Sequence, residues 1–482
     1  MRSPPTPPPL IRSLLDPGRY PHPVGCVELV ETHISWVLLA GDFAYKLKKP
    51  VTLPFVDFGT LERRRADCAA ELRLNRRYAP GLYLDAVDFD GEPAVKMRRF
   101  DEARRLDRVC ARGELTPAHL SGLARTIVAF HSAAAIAPPS SRFGTPEQVL
   151  APARENFDEL DKLLPGESPR LTLLRAWTEA EFARRRDVFA ARKAGGFVRE
   201  CHGDLHLGNL VLLGDRVTPF DCIEFNEDFR WIDVASEIAF TYIDLLDHGQ
   251  PGLACWLLNE WLARSGDHGG HSALAVLRFY AVYRAMVRAK VAALRGRAAE
   301  AAGYLALAER LGVSPRLTLT ITFGLSGSGK TTASSARLLA DASAATVRFR
   351  SDVERKRLFG LDADADSGGT IYAVDASVRT YARLAELARA TLADGWPVIV
   401  DAAFLKRAER RTFAALADEL DIPFDILACA APVDALRGRL EARRDDASEA
   451  TAAVLAQQLE WLEPLDDAER ARVTAPDPIR VD

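Results

Sequence analysis

The 482-residue sequence has no apolar run that approaches the length of a membrane-spanning helix, and none of its seven cysteines forms a C-x-x-C pair. The first absence excludes a membrane-spanning segment, and the second leaves scattered thiols of the kind that a reducing cytoplasm keeps free. The net charge is only −4, which argues against a general nucleic-acid coat. The start, MRSPPTPPP, lacks the apolar stretch of a signal peptide, so we expect a cytoplasmic protein whose residues 1–20 are extended and disordered.

The most specific motif lies in the last third of the chain, where residues 324–331 read GLSGSGKT and fit G-x-x-x-x-G-K-[ST]. Glycines let such a loop curl until its N–H groups point inward at a phosphate, and the helix after it adds its own free N–H groups. A buried strand is predicted just before the loop, over 317–323, and a helix just after it. The residues predicted to bind ATP here are Gly324, Ser326, Gly327, Ser328, Gly329, Lys330, Thr331 and Thr332.

Two of these residues have a predicted chemical role as well. Lys330 reaches the β- and γ-phosphates and assists catalysis, and the Thr331 hydroxyl ligates Mg²⁺. Asp401 ends the apolar strand VIV and is predicted to be a further Mg²⁺ ligand. Asp352 follows a predicted strand over 346–350 and is a candidate base for an acceptor hydroxyl.

Several arginines complete the predicted P-loop site. Arg355, one turn beyond Asp352, is a candidate ligand for a charged group of the acceptor. A helix near residue 440 carries a basic cluster that is predicted to close as a lid over the phosphates and to stabilise developing charge. The lid residues are Arg439, Arg443 and Arg444. The alternative for Asp352 and Arg355 is a helix-capping aspartate with a surface arginine. The alternative for the basic cluster is a solvated helix face.

A second chemical centre lies at residues 202–209, HGDLHLGN, after a predicted strand over 197–201. His202, Asp204 and Asn209 have the H-x-D-x-x-x-x-N spacing of a kinase catalytic loop, in which Asp204 accepts the proton of the substrate hydroxyl and Asn209 holds Mg²⁺. Asp221 ends a predicted hairpin twelve residues after Asn209 and is the expected second Mg²⁺ ligand. Because phosphoryl transfer needs mainly positioning and charge neutralisation, this set indicates a phosphotransferase.

The chain before this loop has the element order of a kinase small lobe. Short strands are predicted up to residue 47, followed by a helix over 61–78 and a hairpin. Lys46 on the third strand and Glu71 in the helix are the candidate pair that holds the α- and β-phosphates. No G-x-G-x-x-G precedes Lys46, and Lys48 shares its face of the strand, so Lys48 remains an alternative. Both charges could also be solvated at the surface.

The strings CHGDLHLGN, FDCIEFN and WIDVASEIAF together resemble the aminoglycoside phosphotransferase-like branch of the protein-kinase-like fold, over roughly residues 25 to 310. The resemblance implies an α+β kinase-like domain that uses ATP and Mg²⁺. The remainder resembles small P-loop kinases related to gluconate, zeta-toxin-like and polynucleotide 5′-kinases, which implies an α/β domain with a parallel sheet. The whole chain is similar to bacterial fusion proteins called bifunctional aminoglycoside phosphotransferase/ATP-binding protein, whose P-loop half is of AAA type.

The sequence therefore predicts a disordered segment 1–20, a kinase-like domain 21–313 and a P-loop kinase domain 314–482. Each domain is expected to transfer the γ-phosphoryl group of Mg²⁺·ATP to a hydroxyl of a small polar metabolite, such as a sugar or a nucleoside derivative. Two alternatives stay open. One domain is a nucleotide-dependent sensor that regulates the other, or the P-loop half is a polynucleotide 5′-hydroxyl kinase, against which the overall acidity argues. The acceptor and the oligomeric state are not predicted.

Overall fold

The computed structural model describes the chain over residues 7–53, 56–268, 271–365, 374–442 and 451–474. Contacts between residues divide the chain into two units. The first unit comprises residues 1–115, 129–148 and 192–241, and the second comprises 116–128, 149–191 and 242–482.

The first unit begins with a five-stranded antiparallel sheet. Its elements up to residue 111 are α1 (Pro9–Ser13), β1 (Val27–Glu31), β2 (Ser35–Ala40), β3 (Phe43–Lys48), β4 (Thr52–Leu53), β5 (Val56–Asp57), α2 (Leu61–Arg76), β6 (Tyr83–Phe89), β7 (Glu92–Arg98) and α3 (Leu106–Ala111). The strand order is β1-β2-β3-β7-β6, with β4 and β5 forming a separate hairpin. Helix α2 packs against β6 and β7, so the sheet and this helix can present side chains to each other. This is the predicted kinase-like order.

Helix α1 departs from the predicted disorder of residues 1–20. Proline content suggested an extended segment, but Pro9 occupies the first helical turn, where a missing N–H breaks no helical hydrogen bond. Ile11 and Leu14, three positions apart, share one helix face and are fully buried against the core that includes Tyr45 and Leu47. The prediction of disorder was therefore wrong for the helix, because its two apolar side chains have a core to enter.

Most of the middle of the chain is helical, with two short antiparallel strand pairs, β9 with β10 and β8 with β11. Its elements are α4 (Pro117–Ala133), α5 (Pro146–Leu163), α6 (Ser168–Ala194), β8 (Val198–Glu200), β9 (Leu210–Leu213), β10 (Arg216–Pro219), α7 (Glu227–Arg230), β11 (Trp231–Asp233), α8 (Val234–Asp247), α9 (Pro251–Ser265), α10 (Ala273–Leu294) and α11 (Ala298–Gly312). The long apolar stretch over 272–311 forms the two helices α10 and α11, because Gly296 takes a left-handed φ of +72° and ends α10.

The second unit contains the predicted parallel sheet. Its elements from residue 319 onward are β12 (Leu319–Phe323), α12 (Lys330–Leu339), β13 (Val347–Arg350), α13 (Ser351–Leu358), α14 (Val374–Ala393), β14 (Val398–Asp401), α15 (Arg407–Glu419), β15 (Phe424–Ala428), α16 (Val433–Ala442), α17 (Ala452–Trp461), α18 (Asp467–Arg470) and β16 (Val473–Thr474). The order is β13-β14-β12-β15-β16, with every pairing parallel. Strand β12 is central, so the GLSGSGKT loop lies at the carboxyl edge of the sheet, where open α/β sheets bind ligands.

Helices α9 to α11 belong to the same unit as this parallel sheet, and α9 packs against α12 and β13. The predicted domain boundary at residue 313 therefore lies inside the second unit and does not coincide with a division between the two units. It stays a prediction. Among the described residues, no helix combines the length and the apolar character that a bilayer crossing requires.

Candidate active sites

The loop of residues 202–209 connects β8 to β9 and places Asp204 where it is both oriented and accessible. Asn209 Nδ2 donates to the main-chain oxygen and to the Oδ2 atom of Asp204, both at 3.0 Å. His206 Nε2 lies 3.5 Å from the same Oδ2 atom, and the Asp204 side chain remains 36% exposed. The predicted base and the predicted Mg²⁺ ligand are therefore brought into direct contact.

His202 orients the loop through two hydrogen bonds of its imidazole ring. Its Nδ1 must accept, because the Asp204 main-chain N–H lies 3.3 Å away, and its Nε2 then donates to the Phe220 oxygen at 2.9 Å. Burial lowers the pKa of His202, which favours the neutral ring that this pair of bonds requires. His202 thus connects the loop of residues 202–209 to the segment that leads into Asp221.

Glu237, on α8, holds the same loop by its backbone. Its two carboxylate oxygens accept from the N–H groups of His202 and Gly203 at 2.9 and 2.8 Å. Burial alone would raise the pKa of Glu237, but His131 and the backbone donors outweigh it and hold the pKa at about 2. Gly203 has a φ of +90°, and a side chain there would meet the Phe229 oxygen at 2.6 Å. Sequence reasoning did not single out Glu237, because only the fold brings it to His131 and to the main-chain N–H groups of the loop.

Asp221 is placed beside this loop by main-chain pairing. Phe220 N–H donates to the Asn209 oxygen, and Ile223 N–H to the His202 oxygen, each at 3.0 Å. Asp221 itself has a φ of +61°, which is rare for a residue with a side chain, and its N–H donates to Tyr83 Oη at 2.9 Å. Such strained backbone is found preferentially at functional sites.

The predicted lysine–glutamate pair is formed, and Lys48 joins it. Lys46 Nζ lies 2.8 Å from Glu71 Oε1 and 2.6 Å from Asp221 Oδ1. Lys48 Nζ lies 2.8 Å from Glu71 Oε2 and also binds Glu224, which sequence reasoning missed. The Glu71 side chain is fully buried, so the alternative of solvated surface charges is wrong for this residue.

Electrostatics favour the charged forms of Lys46 and Glu71, whereas burial raises the pKa of Glu224. Burial would lower the pKa of Lys46, but the carboxylates of Asp221 and Glu71 outweigh it and raise the pKa well above its ordinary value. Burial would likewise raise the pKa of Glu71, yet the two lysines hold it at about 2. A group of carboxylate and amide oxygens from Asp221 and Asn209 suits Mg²⁺, which prefers hard oxygen ligands. The residues present therefore fit Mg²⁺·ATP.

The GLSGSGKT loop is built around residues that cannot carry side chains. Gly324, Gly327 and Gly329 have φ values of +147°, +81° and +93°. A Cβ atom on Gly324 would lie 2.2 Å from the Cys429 oxygen and 2.7 Å from Ser328 Oγ. In the part of the chain that the structure describes, Ser328 Oγ is buried and has no hydrogen-bond partner. A buried hydroxyl without a partner inside a glycine-built loop fits a phosphate oxygen.

Lys330, Thr331 and Thr332 form the first turn of α12, directly after the loop. The Lys330 ammonium donates to the Leu325 oxygen at 2.8 Å, so this side chain lies over the loop. Asp401, at the end of β14, is buried and accepts from Ser334 Oγ on α12 at 2.9 Å. The predicted Mg²⁺ residue is thus fixed against the helix that carries Thr331.

Two contacts hold the outer side of the loop. Ser326 N–H donates to Gln458 Oε1 on α17 at 2.7 Å. Arg439, on α16, donates from Nη1 to the Gly327 oxygen at 3.1 Å. The predicted lid residue Arg439 therefore contacts the loop, whereas Arg443 and Arg444 lie outside the described residues. Gln458 had no motif around it and was not predicted.

Asp352 and Arg355 lie on the same side of α13 and contact each other, with Arg355 Nη1 at 3.2 Å from Asp352 Oδ1. The N-cap position of α13 is Arg350, so Asp352 is not the N-cap residue. Arg350 pairs with Asp401 in the parallel register of β13 and β14. Asp352 therefore follows the carboxyl end of a strand that neighbours β14, as the sequence predicts.

Two family models match the chain. Residues 62–255 match the phosphotransferase enzyme family, and residues 319–465 match an AAA domain. A protein of Mycobacterium tuberculosis (strain H37Rv), described as uncharacterised, is 33% identical over 465 residues, which cover 90% of this chain and 91% of the relative. A protein of Mycobacterium bovis with the same description matches to the same extent.

Solved structures are similar at lower identity. The GDP and kanamycin complex of APH(2″)-IIIa is 14% identical, with a TM-score of 0.41, over 63% of this chain and 98% of that one. A choline/ethanolamine kinase family protein from Mesorhizobium loti is 15% identical, with a TM-score of 0.40, over 67% of this chain and 93% of that one.

Proposed function

The chain belongs to one family with its mycobacterial relatives, and we propose that it is a kinase with two separate Mg²⁺·ATP sites that acts on an alcohol group. Its match to the phosphotransferase enzyme family and its match to an AAA domain support this proposal. Each site phosphorylates a hydroxyl of a small polar metabolite, such as a sugar or a nucleoside derivative. The acceptor is a small molecule and not a membrane component.

One observation supports the proposal: each unit has its own lysine of the kind that binds phosphates, together with its own side-chain oxygens of the kind that binds a divalent cation. In the first unit these are Lys46 with Asn209 and Asp221. In the second they are Lys330 on the glycine-built loop and Asp401 beside α12. A single-site enzyme would have no use for two complete sets.

At the first site, the chain's own residues divide the work of phosphoryl transfer. Asp204 accepts the proton of the acceptor hydroxyl, while Asn209 keeps its carboxylate oriented. Lys46 binds the phosphates, and Glu71 keeps Lys46 in place. Asn209 and Asp221 would hold Mg²⁺, which would neutralise phosphate charge.

At the second site, the backbone N–H groups of the loop bind the phosphates, and Lys330 contributes charge at the transferred group. Asp352 takes the proton of the acceptor, with Arg355 positioned to bind a charged group of that acceptor. Thr331 and Asp401 are the residues that would hold Mg²⁺ there. Arg439 stabilises charge on the phosphates, and Arg443 and Arg444 are proposed to share this role.

The test is ADP formation with a panel of polar metabolites, measured on Asp204→Ala and on Lys330→Ala separately. Loss of the base is expected to lower acceptor-dependent turnover at the first site by roughly 10²-fold or more. Each variant should abolish the phosphorylation of one acceptor and spare that of the other. If neither substitution changes any activity, the proposal of two sites is wrong.

The same measurements separate the two alternatives. A site that binds ATP in a titration but never forms ADP with any acceptor would be a sensor that regulates the other site. Labelling of a 5′-hydroxyl oligonucleotide, with binding that weakens steeply as salt rises, would make the second site a polynucleotide kinase. Loss of that labelling in Lys330→Ala would assign it to the P-loop.

A further inference from the structure

Two lysines on one strand share a single glutamate at the first site. Lys46 and Lys48, which alternate with buried apolar residues on β3, reach the two different oxygens of Glu71, each at 2.8 Å. Each lysine also binds one carboxylate of the segment that follows β10. Lys46 binds Asp221 at 2.6 Å, and Lys48 binds Glu224. The result is a chain of ion pairs that joins β3, α2 and the Asp221 segment.

The two lysines differ in what surrounds them. The Lys46 side chain is 12% exposed, and its partner Asp221 is 45% exposed. The Lys48 side chain is 1% exposed, and its partner Glu224 is 4% exposed. The half of the cluster that contains Lys46 is therefore open to an incoming molecule, and the half that contains Lys48 is closed.

Aromatic rings complete the closed half. The Lys48 ammonium lies 4.9 Å from the centre of the Phe58 ring, and Phe58 is fully buried. Phe225, next to Glu224, packs edge-on against Phe58 with ring centres 6.5 Å apart. The main-chain oxygen of Glu224 accepts from Arg230 Nη1 at 3.0 Å. With 1% of its side chain exposed, Lys48 offers almost no surface to a nucleotide phosphate.

We propose that Lys48 and Glu224 are positioning residues of the first phosphotransferase site. Lys48 keeps Glu71 pointing inward and, through Glu224, ties the segment that carries Asp221 to the sheet that carries Lys46. In a site with one lysine, Glu71 would lose its partner whenever that lysine moved toward phosphates. Here Lys48 retains Glu71, so Lys46 is available to the nucleotide while the Mg²⁺ ligand Asp221 keeps its place. The inference rests on the proposed function for its nucleotide-dependent part.

The experiment uses the full chain with Lys330→Ala, which silences the second site. Lys46→Met, Lys48→Met, Glu224→Gln and the double variant Lys48→Met/Glu224→Gln are compared for nucleotide dissociation constant, for kcat and for thermal unfolding midpoint. Lys46→Met is expected to raise the dissociation constant for ATP, because it removes a phosphate contact. Lys48→Met should change that constant less than twofold and lower kcat by up to roughly 10²-fold, the loss expected when catalytic groups are misplaced by about 1 Å.

The double variant distinguishes positioning from stability. Lys48→Met leaves Glu224 buried without its cation, so the unfolding midpoint falls, and adding Glu224→Gln should restore most of that fall. The second substitution should not restore kcat, because the Lys48–Glu224 ion pair is still absent. Lys48→Arg retains the cation and its donors and should recover kcat at a temperature where every variant is folded. Should Lys48→Met fail to fold, Glu224→Gln alone is expected to lower kcat several-fold.

Two results would overturn the inference. A wild-type kcat in folded Lys48→Met would show that the Lys48–Glu224 ion pair does not position Asp221. A rise in the ATP dissociation constant in Lys48→Met as large as that in Lys46→Met would make Lys48 a phosphate ligand. If the parent chain shows no Asp204-dependent turnover, the proposed function fails, but the unfolding midpoints still test whether Lys48 and Glu224 are coupled. Additive effects of Lys48→Met and Glu224→Gln on the midpoint would then disprove that coupling.

Discussion

At the scale of single residues, Glu237 contributes to stability in a pH-dependent way. Its pKa in the folded chain is about 2, whereas an unfolded glutamate titrates near 4.3. A carboxyl group whose folded pKa is depressed stabilises the fold above the unfolded pKa, and this contribution is lost as the pH falls through the folded pKa. The difference corresponds to at most about 3 kcal/mol.

Glu237→Gln should therefore flatten the acid limb of the stability profile. The wild-type free energy of unfolding is expected to decline as the pH falls from about 4.3 to 2, and the variant should lose that part of the decline. Denaturant titrations at a series of pH values measure it. Equal slopes for both proteins below pH 4 would assign the acid sensitivity to other carboxylates.

Residue spacing identifies Asp204, Asn209 and Asp221, which the structure brings together, but it does not identify Glu237 and Glu224, which support them. Asp204, Asn209 and Asp221 could be found because a catalytic loop imposes fixed separations along the chain. Glu237 binds main-chain atoms 35 residues away, and Glu224 meets Lys48 across 176 residues. Contacts of that kind depend on how elements pack, so no local pattern contains them.

At the scale of elements, the glycine loop between β12 and α12 tolerates no added side chain at Gly324. Gly324→Ala would place a Cβ atom 2.2 Å from the Cys429 oxygen, in a φ region that alanine rarely adopts. We expect loss of ATP binding at the second site with Asp204-dependent activity intact, measured by titration. Gly360→Ala is the matched control, because Gly360 has a φ of +73° but open space around it. Equal loss in both variants would assign the effect to backbone strain in general.

Helix α17 anchors the same loop from outside through Gln458. Gln458→Leu removes the acceptor of the Ser326 N–H, and one lost hydrogen bond of about 1 kcal/mol should weaken ATP binding roughly fivefold. Gln457→Leu, at the exposed neighbouring position, is the control and should bind ATP as the parent does. Tighter binding in Gln458→Leu would mean that Gln458 competes with the nucleotide and does not support the loop.

Element boundaries were predictable where local chemistry decides them. The strands Val398–Asp401 and Val347–Arg350 lie where the apolar run before Asp401 and the predicted strand over 346–350 place them. Helix α1 was missed, because its stability comes from the core that buries Ile11 and Leu14.

At the scale of the whole molecule, the predicted fold classes are confirmed, because a kinase-like antiparallel sheet and an all-parallel P-loop sheet occur in one chain. Both were expected from the resemblance that the motifs carry to known kinase families. What the motifs could not indicate is the division into units, in which α9 to α11 accompany the P-loop sheet. That grouping arises from packing faces that carry no sequence signature.

Two nucleotide sites in one chain predict a definite binding stoichiometry. Calorimetric titration with a non-hydrolysable ATP analogue and Mg²⁺ should give two equivalents per chain. Lys46→Met and Lys330→Ala should each reduce the count to one, because each removes the phosphate-binding cation of a different site, and the double variant should bind none. A single equivalent that only one substitution removes would mean that the other unit retains a kinase-like fold without a nucleotide site. If each substitution instead removed both equivalents, the two sites would bind nucleotide only together, and the activities assigned to Asp204 and Lys330 would not be separable.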